Sequence, residues 1–386
     1  MKSKPNYSLN QLALYFLKLG TTGFGGPVAL VGYMHRDLVE KKKWISEDEY
    51  KEGLALAQLA PGPLAAQLGI YIGFVHYGII GATLCALAFI IPSFIMVVAL
   101  GIAYKAYGGL PWMQNIFYGV SAAVIGIISI SAYKLTTKSV SKFQWAEMQT
   151  KWLLWIFFLV AAAVTIITQN ENVLLFIAAG LVYMLIKAPP KFGAGIFAPL
   201  VLLLVVSVAD KNTLIQIALF FTKAGAFVFG SGLAIVPFLH GGVVNEYHWL
   251  NEQQFLDAVA VAMITPGPVV ITVGFIGYLV AGFPGACIAA LATFLPCYLF
   301  TVIPAPYFKT IAKNKSIKSF VDGITAAVVG ALVGAVVIIA LKSIVDVYTL
   351  IIALLTLVIL IRLKKITEPV VIIVAALLGL LVKTFF

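Results

Sequence analysis

A chain of 386 residues that is 62% hydrophobic and only 11% charged is not a soluble globular protein, whose composition runs near 45–50% apolar and 25% charged. Its long apolar runs lack strict alternation, which excludes an outer-membrane barrel and leaves an all-α polytopic membrane protein. The formal charge of +11 falls mainly in short loops between apolar runs. There, lysine and arginine set orientation against the bilayer; nucleic acid is not expected as a partner.

The basic N-terminus, MKSKPNYSLN, has no apolar core or cleavage site behind it, so no cleaved signal peptide is expected. Residues 9–34 are apolar but broken at Gly25-Gly26-Pro27. Glycines followed by proline end one helical piece and start another. Residues 36–52 are polar, with five basic and six acidic side chains. Residues 53–75 are apolar again and broken at Ala60-Pro61-Gly62-Pro63. A long helix over 79–104 is expected to kink at Pro92, and 113–133 is a plain span. A lysine-rich loop follows, then three spans near 152–168, 172–186 and 193–209. Residues 348–363 and 369–385 close the chain with two more spans.

The chain repeats itself. FLKLGTTGFGGP (Phe16–Pro27) matches FTKAGAFVFGSG (Phe221–Gly232) at an offset of 205 residues. WISEDEY matches WLNEQQF, and LAPGP matches ITPGP, at the same offset. Gly73, Gly78, Gly81, Pro92, Gly119 and Gly126 then match glycines and a proline at an offset of 204. An internal duplication follows: a first repeat in 1–133, a linker with three spans in 134–212, a second repeat in 213–341, and two C-terminal spans in 342–386.

The lysines give a topology. If the broken segments are re-entrant hairpins, 20 of the 26 basic residues fall on one face and four (Lys105, Lys211, Lys342, Lys383) on the other. The remaining two are Lys18 and Lys223. Single crossings would instead put the 36–51 and 134–151 loops on opposite faces, against the positive-inside bias. Paired loops of the two repeats carry opposite bias. The repeats are therefore expected to be inverted around broken helices, with four hairpins and nine full spans, an architecture of secondary transporters.

Lys18 and Lys223 hold the same position in the two repeats, in apolar surroundings. Ionisable groups at membrane depth point to function, although a lysine can also snorkel to the interface. The breaks leave helix starts near Pro27, Pro63, Gly232 and Pro268, whose unpaired N–H groups bind anions. Gly25, Gly26, Gly62, Gly230, Ser231, Gly232 and Gly267 let a ligand approach the backbone, or let helices pack closely. Pro61, Pro266, Gln58 and Thr265 complete the candidate substrate site. Glu52 and Asp257 correspond between repeats. They either cap a helix start or couple proton movement. His35, His76, His240 and His248 are read as interfacial and unmatched between repeats. Cys85, Cys287 and Cys297 read as buried thiols. No metal, cofactor or enzyme motif is present in the sequence.

Together these motifs are similar to those of the chromate ion transporter family in its long two-domain form. FxKLGxxxFGGP at Phe16–Pro27, Trp44-Ile45 and QLAPGP at Gln58–Pro63 carry the resemblance in the first half. In the second half it rests on Phe221, Lys223 and Gly225, on FGSG at Phe229–Gly232, and on TPGPV at Thr265–Val269. The resemblance implies export of chromate, with sulfate as a close mimic, across the bacterial cytoplasmic membrane. It leaves open the physiological anion, and whether transport is proton-coupled, an exchange or channel-like. The partners expected are a small oxyanion, the lipid bilayer and a second copy in a homodimer. In this reading Lys18 and Lys223 flank one tetrahedral dianion while four helix starts donate N–H groups to it. FGSG in place of FGGP allows the two half-sites to differ.

Overall fold

A computed structural model describes residues 5–24, 26–108, 110–170, 172–190, 212–228, 232, 235–308, 314–363 and 366–385. The expected span over 193–209, and the candidate residues Gly25, Gly230 and Ser231, lie outside the described residues. All described secondary structure is helical. Among the described residues, five helical stretches are long and apolar enough to cross a membrane. Large apolar side chains such as Ile80, Ile167 and Leu341 face outward, as lipid contact requires.

The helices begin where local chemistry starts them. Ser8 and Gln11 form a capping box at α1 (Leu9–Thr22), satisfying two of the free N–H groups of its first turn. The next helix, α2 (Gly26–Met34), runs into a π-helical turn, His35–Lys41. Ser46 and Glu49 box the start of α3 (Glu47–Leu59), and α4 (Leu64–Tyr107) follows Pro63 directly. Next come α5 (Pro111–Ser139), α6 (Trp145–Thr150), α7 (Trp152–Thr168) and α8 (Val173–Lys187). The second half opens with α9 (Thr213–Ala226) and α10 (Ile235–His240), the latter again followed by a π turn, Gly241–Glu246. Asn251 and Gln254 box α11 (Glu252–Ile264). After the short turn Val269–Ile271 come α12 (Thr272–Val302), α13 (Lys315–Ser343), α14 (Val347–Arg362) and α15 (Glu368–Phe385).

Matching segments of the two halves take matching shapes. The helices α1, α3, α9 and α11 have 14, 13, 14 and 13 residues. At 1.5 Å per residue each is about 20 Å long, short of the ~30 Å hydrocarbon core. Both long helices break at the same place. Gly78 (φ 61°, ψ −151°) and Gly282 (φ 63°, ψ −155°) adopt a conformation essentially reserved for glycine. The chain doubles back there: a Cβ on Gly73 would lie 2.3 Å from the carbonyl oxygen of Gly81. A straight helix would separate those residues by about 12 Å. The backbone stays helical through Pro92, where a kink was expected, and the large break of α4 is at Gly78. The surrounding helices let an intramembrane proline keep its helix.

Several helix crossings rest on small residues. Gly119 of α5 meets the backbone of Ala375 and Gly379 on α15, and Gly330 of α13 meets the Phe158 carbonyl on α7. Such contacts let helices approach closely where no hydrophobic effect drives them together.

Candidate functional site

The broken segments of the two halves hold each other. The Gly62 N–H donates to the Val228 carbonyl at 2.5 Å, and the Gly267 N–H donates to the Gly23 carbonyl at 2.9 Å. These are matching residues at the 205 offset. Each loop therefore clasps the end of the other half's first helix, the exchange a two-fold relation produces. Ser93 Oγ donates to the Pro266 carbonyl at 2.7 Å, and the matching Cys297 lies against Gly62. Buried Gln67 ties down the first loop by donating to the carbonyls of Pro61 (2.9 Å) and Ala60 (3.3 Å). In the second loop Thr265 donates back to the Val261 carbonyl at 2.6 Å.

A cavity of about 570 Å³ ends on these loops. Gly23, Gly26, Pro27, Gln58, Leu64, Thr265, Gly267 and Val269 line its inner part, while Ser131, Lys134, Lys138, Lys318, Asp322, Thr325 and Glu368 line the rest. Three helical segments start here, at Gly26, Leu64 and Val269. Their first N–H groups lack intrahelical acceptors and carry partial positive charge. Three lysines and two carboxylates are among the residues lining the cavity, which is therefore mixed in polarity and net basic. Its chemistry suits a small anion that accepts several hydrogen bonds.

Five candidate residues meet in this cavity: Gly26, Pro27, Gln58, Thr265 and Gly267. Gly62, Pro63, Pro266 and Pro268 are buried in the loops behind it, with Pro61 half-buried beside them. Gly232 is buried against Val269 and Val270. Lys18 and Lys223 do not line it. Lys18 is exposed on α1, and Lys223 lines a separate cleft of about 320 Å³ with Thr168, Asn170, Asn172 and Glu246. The basic residues that do line the cavity, Lys134, Lys138 and Lys318, read in the sequence only as loop charges. Their signal was the four-residue spacing of Lys134 and Lys138 at the end of an apolar helix, which puts both on one face.

Glu52 and Asp257 do not hold the N-cap positions of the helices that carry them. Ser46 and Asn251 hold the cap positions of α3 and α11. Glu52 faces Tyr71 of its own half. Asp257 is buried at the end of a second cavity, of about 700 Å³, which Tyr104, Lys105, Gln114, Tyr118, Gln253 and Lys383 also line. This cavity meets the start of α5 at Gln114, whereas the first meets its end at Lys134. Those residues are 20 apart, about 30 Å of helix. Between the cavities lie residues 120–126 of α5 and 258–262 of α11, all buried.

The histidines need a correction. His35 and His240 do correspond, at the 205 offset. His35 Nε2 pairs with Glu47 at 2.8 Å and His240 Nε2 with Glu252 at 2.7 Å. Tyr50 and Phe255 set their rings edge-on to the two imidazoles. Each pair ties the first residue of a π turn, or the residue just before it, to the start of the following helix. Hydrogen bonds from His35 and Lys51 hold the Glu47 carboxyl below the usual carboxylate range. Among the described residues no group of three or more His, Cys, Asp and Glu side chains is placed to hold a metal ion.

The family profile described as "Chromate transporter" matches residues 10–185 and 215–380. The chain is 64% identical to the chromate transport protein of Cupriavidus metallidurans over 357 residues, 91% of this chain and 87% of that protein. It is 62% identical to a probable chromate transport protein of Synechococcus elongatus over 359 residues, 91% of this chain and 89% of that protein. It is also 27% identical to the uncharacterized transporter YwrB of Bacillus subtilis over 186 residues, 47% of this chain and 91% of that protein. No solved structure matches the chain.

Proposed function

The chain belongs to the chromate transporter family, and from that membership we propose that it carries chromate, or a similar tetrahedral oxyanion such as sulfate, across the bacterial cytoplasmic membrane by alternating access. One observation carries the reading: a basic cavity ends where three helix starts meet, on loops that bind the two halves together. A dianion leaving water loses several kcal/mol of hydration. Oriented N–H groups and lysines offset that loss without chemistry. A second cavity approaches from the other end of α5, and a buried seam parts the two. Two closed-end cavities fit a carrier that exposes its site to one side at a time. Relative motion of the halves, hinged at the exchanged Gly62 and Gly267 bonds, would open the other side.

Reconstitution in proteoliposomes tests this. Flux of chromate or sulfate is expected to saturate and to be stimulated by the same anion on the far side. Chloride and phosphate serve as comparisons. Flux that follows only the membrane potential, with no stimulation from the far side, would replace the carrier with an anion channel.

In this reading the two halves are inverted repeats, with α1–α2 and α3–α4, and their counterparts, dipping into the membrane as re-entrant hairpins. Three observations support it. The short helices are about 20 Å long. Loop bonds are exchanged between halves. The end of α5 and the start of its counterpart α13 line one cavity, so the matching helices run in opposite directions. The lysine-rich face is then cytoplasmic. Cysteines placed at Lys43 and Glu246 are expected to react with an impermeant reagent from opposite faces. Reaction of both from one face rules the inversion out.

A further inference from the structure

We propose that Asp257 is a proton-binding site that couples anion movement to a pH gradient, a proposal that rests on the transporter reading above. Asp257 is 2% exposed. Its Oδ2 accepts from the Tyr104 hydroxyl at 2.7 Å and its Oδ1 from the Gln253 amide at 2.8 Å. Both donors are neutral, and no ion pair of Asp257 is present among the described residues. A buried carboxylate held only by neutral donors keeps much of its desolvation cost. A proton removes it, and the 700 Å³ cavity that ends at Asp257 provides the water path for that proton.

Protonation here changes how the halves are joined. Tyr104 belongs to α4 in the first half and Asp257 to α11 in the second, so their bond crosses between them. The ionised carboxyl is an acceptor only, whereas the protonated one has a hydrogen of its own to donate. Where that hydrogen is directed at the Tyr104 oxygen or the Gln253 amide, the present donor has to rotate or release. Gln253 also donates to Ser121 of α5 at 2.9 Å, so the change reaches the seam between the two cavities. A proton bound at this point alters the balance of the two arrangements of the halves, as coupling requires.

The matching position at the opposite end lacks the tyrosine. The counterpart of Tyr104 at the 204 offset is Phe308. It packs with Leu56 and Tyr71 beside the helix that carries Glu52, and no hydroxyl of its own can reach that carboxyl.

The charges around Asp257 are few. Lys105 on α4, Tyr118 on α5 and Lys383 on α15 line the same cavity. Glu252, on α11 itself, is engaged by His240 and by Lys342 of α13, and Glu246 lies in the preceding π turn. From α12 the neighbours are Phe275, in edge contact with Tyr104, and Leu279; neither titrates.

The test uses the full chain in proteoliposomes, with sulfate and chromate as probes. Sulfate exchange without a gradient, sulfate accumulation under an imposed pH gradient, and proton movement by a pH-sensitive dye are measured together. Asp257→Asn is expected to lower accumulation and anion-dependent proton movement at least tenfold relative to its own exchange flux. Accumulation and proton movement at the parent ratio would overturn the proposal. Tyr104→Phe removes one donor to the charged carboxyl and leaves the acid in place. It is expected to move the pH midpoint of driven transport upward by roughly half a unit or more; an unmoved midpoint also overturns the proposal. A parent protein that moves anions but no protons defeats this inference alone. A parent that moves no anion defeats the transporter reading beneath it.

Discussion

Gly267→Ala is expected to cut oxyanion transport at least tenfold and to lower the melting temperature of the purified protein. Gly267 has φ +100°, and a Cβ there would lie 2.0 Å from Ser93 Oγ and 3.3 Å from the Gly20 carbonyl. The backbone strain alone is worth about 1–3 kcal/mol. Moving Ser93 aside breaks its 2.7 Å bond to the Pro266 carbonyl, and an unmade buried hydrogen bond costs about 1–3 kcal/mol. Both penalties fall on the loop that clasps the other half and faces the cavity. The matching Gly62→Ala should be milder. Its φ is +144°, and its neighbours are the ends of the Gln67 and Cys297 side chains at 2.8–3.0 Å, where Ser93 Oγ lies 2.0 Å from a Cβ on Gly267. A smaller shift therefore suffices, although it loosens the Gln67 bonds to the Ala60 and Pro61 carbonyls. Adding Ser93→Ala to Gly267→Ala removes the clash and leaves the strain. The double variant should regain part of the lost stability, a non-additivity expected of residues in contact. Transport and melting temperature at parent values in Gly267→Ala would show that this loop conformation does not matter.

Much of this architecture could be read from short-range chemistry. Helices α3 and α11 stop one residue before Pro61-Gly62-Pro63 and Pro266-Gly267-Pro268 are reached. Two prolines flanking a glycine remove two backbone donors and free the chain between them, more than a helix interior tolerates, so those breaks were legible. The turns at Gly78 and Gly282 were legible as a repeat and not as turns, because a glycine in an apolar run reads equally well as helix packing. What the sequence cannot show is which way a side chain faces once helices pack. Lys18 lies among apolar residues, yet Leu14 and Leu17 beside it are 62% and 42% exposed, so this face of α1 looks outward. Lys134 and Lys138 count as loop charges until α5 is seen to run on to Ser139. His35 and His240 were aligned in the sequence all along. A search for metal-ligand pairs passes over them, because their partners are Glu47 and Glu252, reached only when a π turn folds back on the next helix.

Replacing Lys134, Lys138 and Lys318 together by glutamine is expected to raise the half-saturating concentration of chromate or sulfate about tenfold, the sum of three modest exposed charge contributions. All three line the cavity that holds the helix starts, and all three are exposed. Their attraction for a dianion is twice that for a monoanion at the same distance, so chloride should be affected less. Exposed charges are screened over roughly 8–10 Å at ordinary ionic strength. The defect should therefore be largest in low salt and shrink as salt is added. Lys18→Met and Lys223→Met supply the contrast. One side chain is exposed on α1 and the other lies in a separate cleft, so each variant should keep a half-saturating concentration within about twofold of the parent, well inside 1 kcal/mol. The reverse pattern would relocate the site. A large loss in Lys18→Met and Lys223→Met, with the triple glutamine variant unchanged, would place the anion beside α1 and α9 and away from the helix starts at Gly26, Leu64 and Val269.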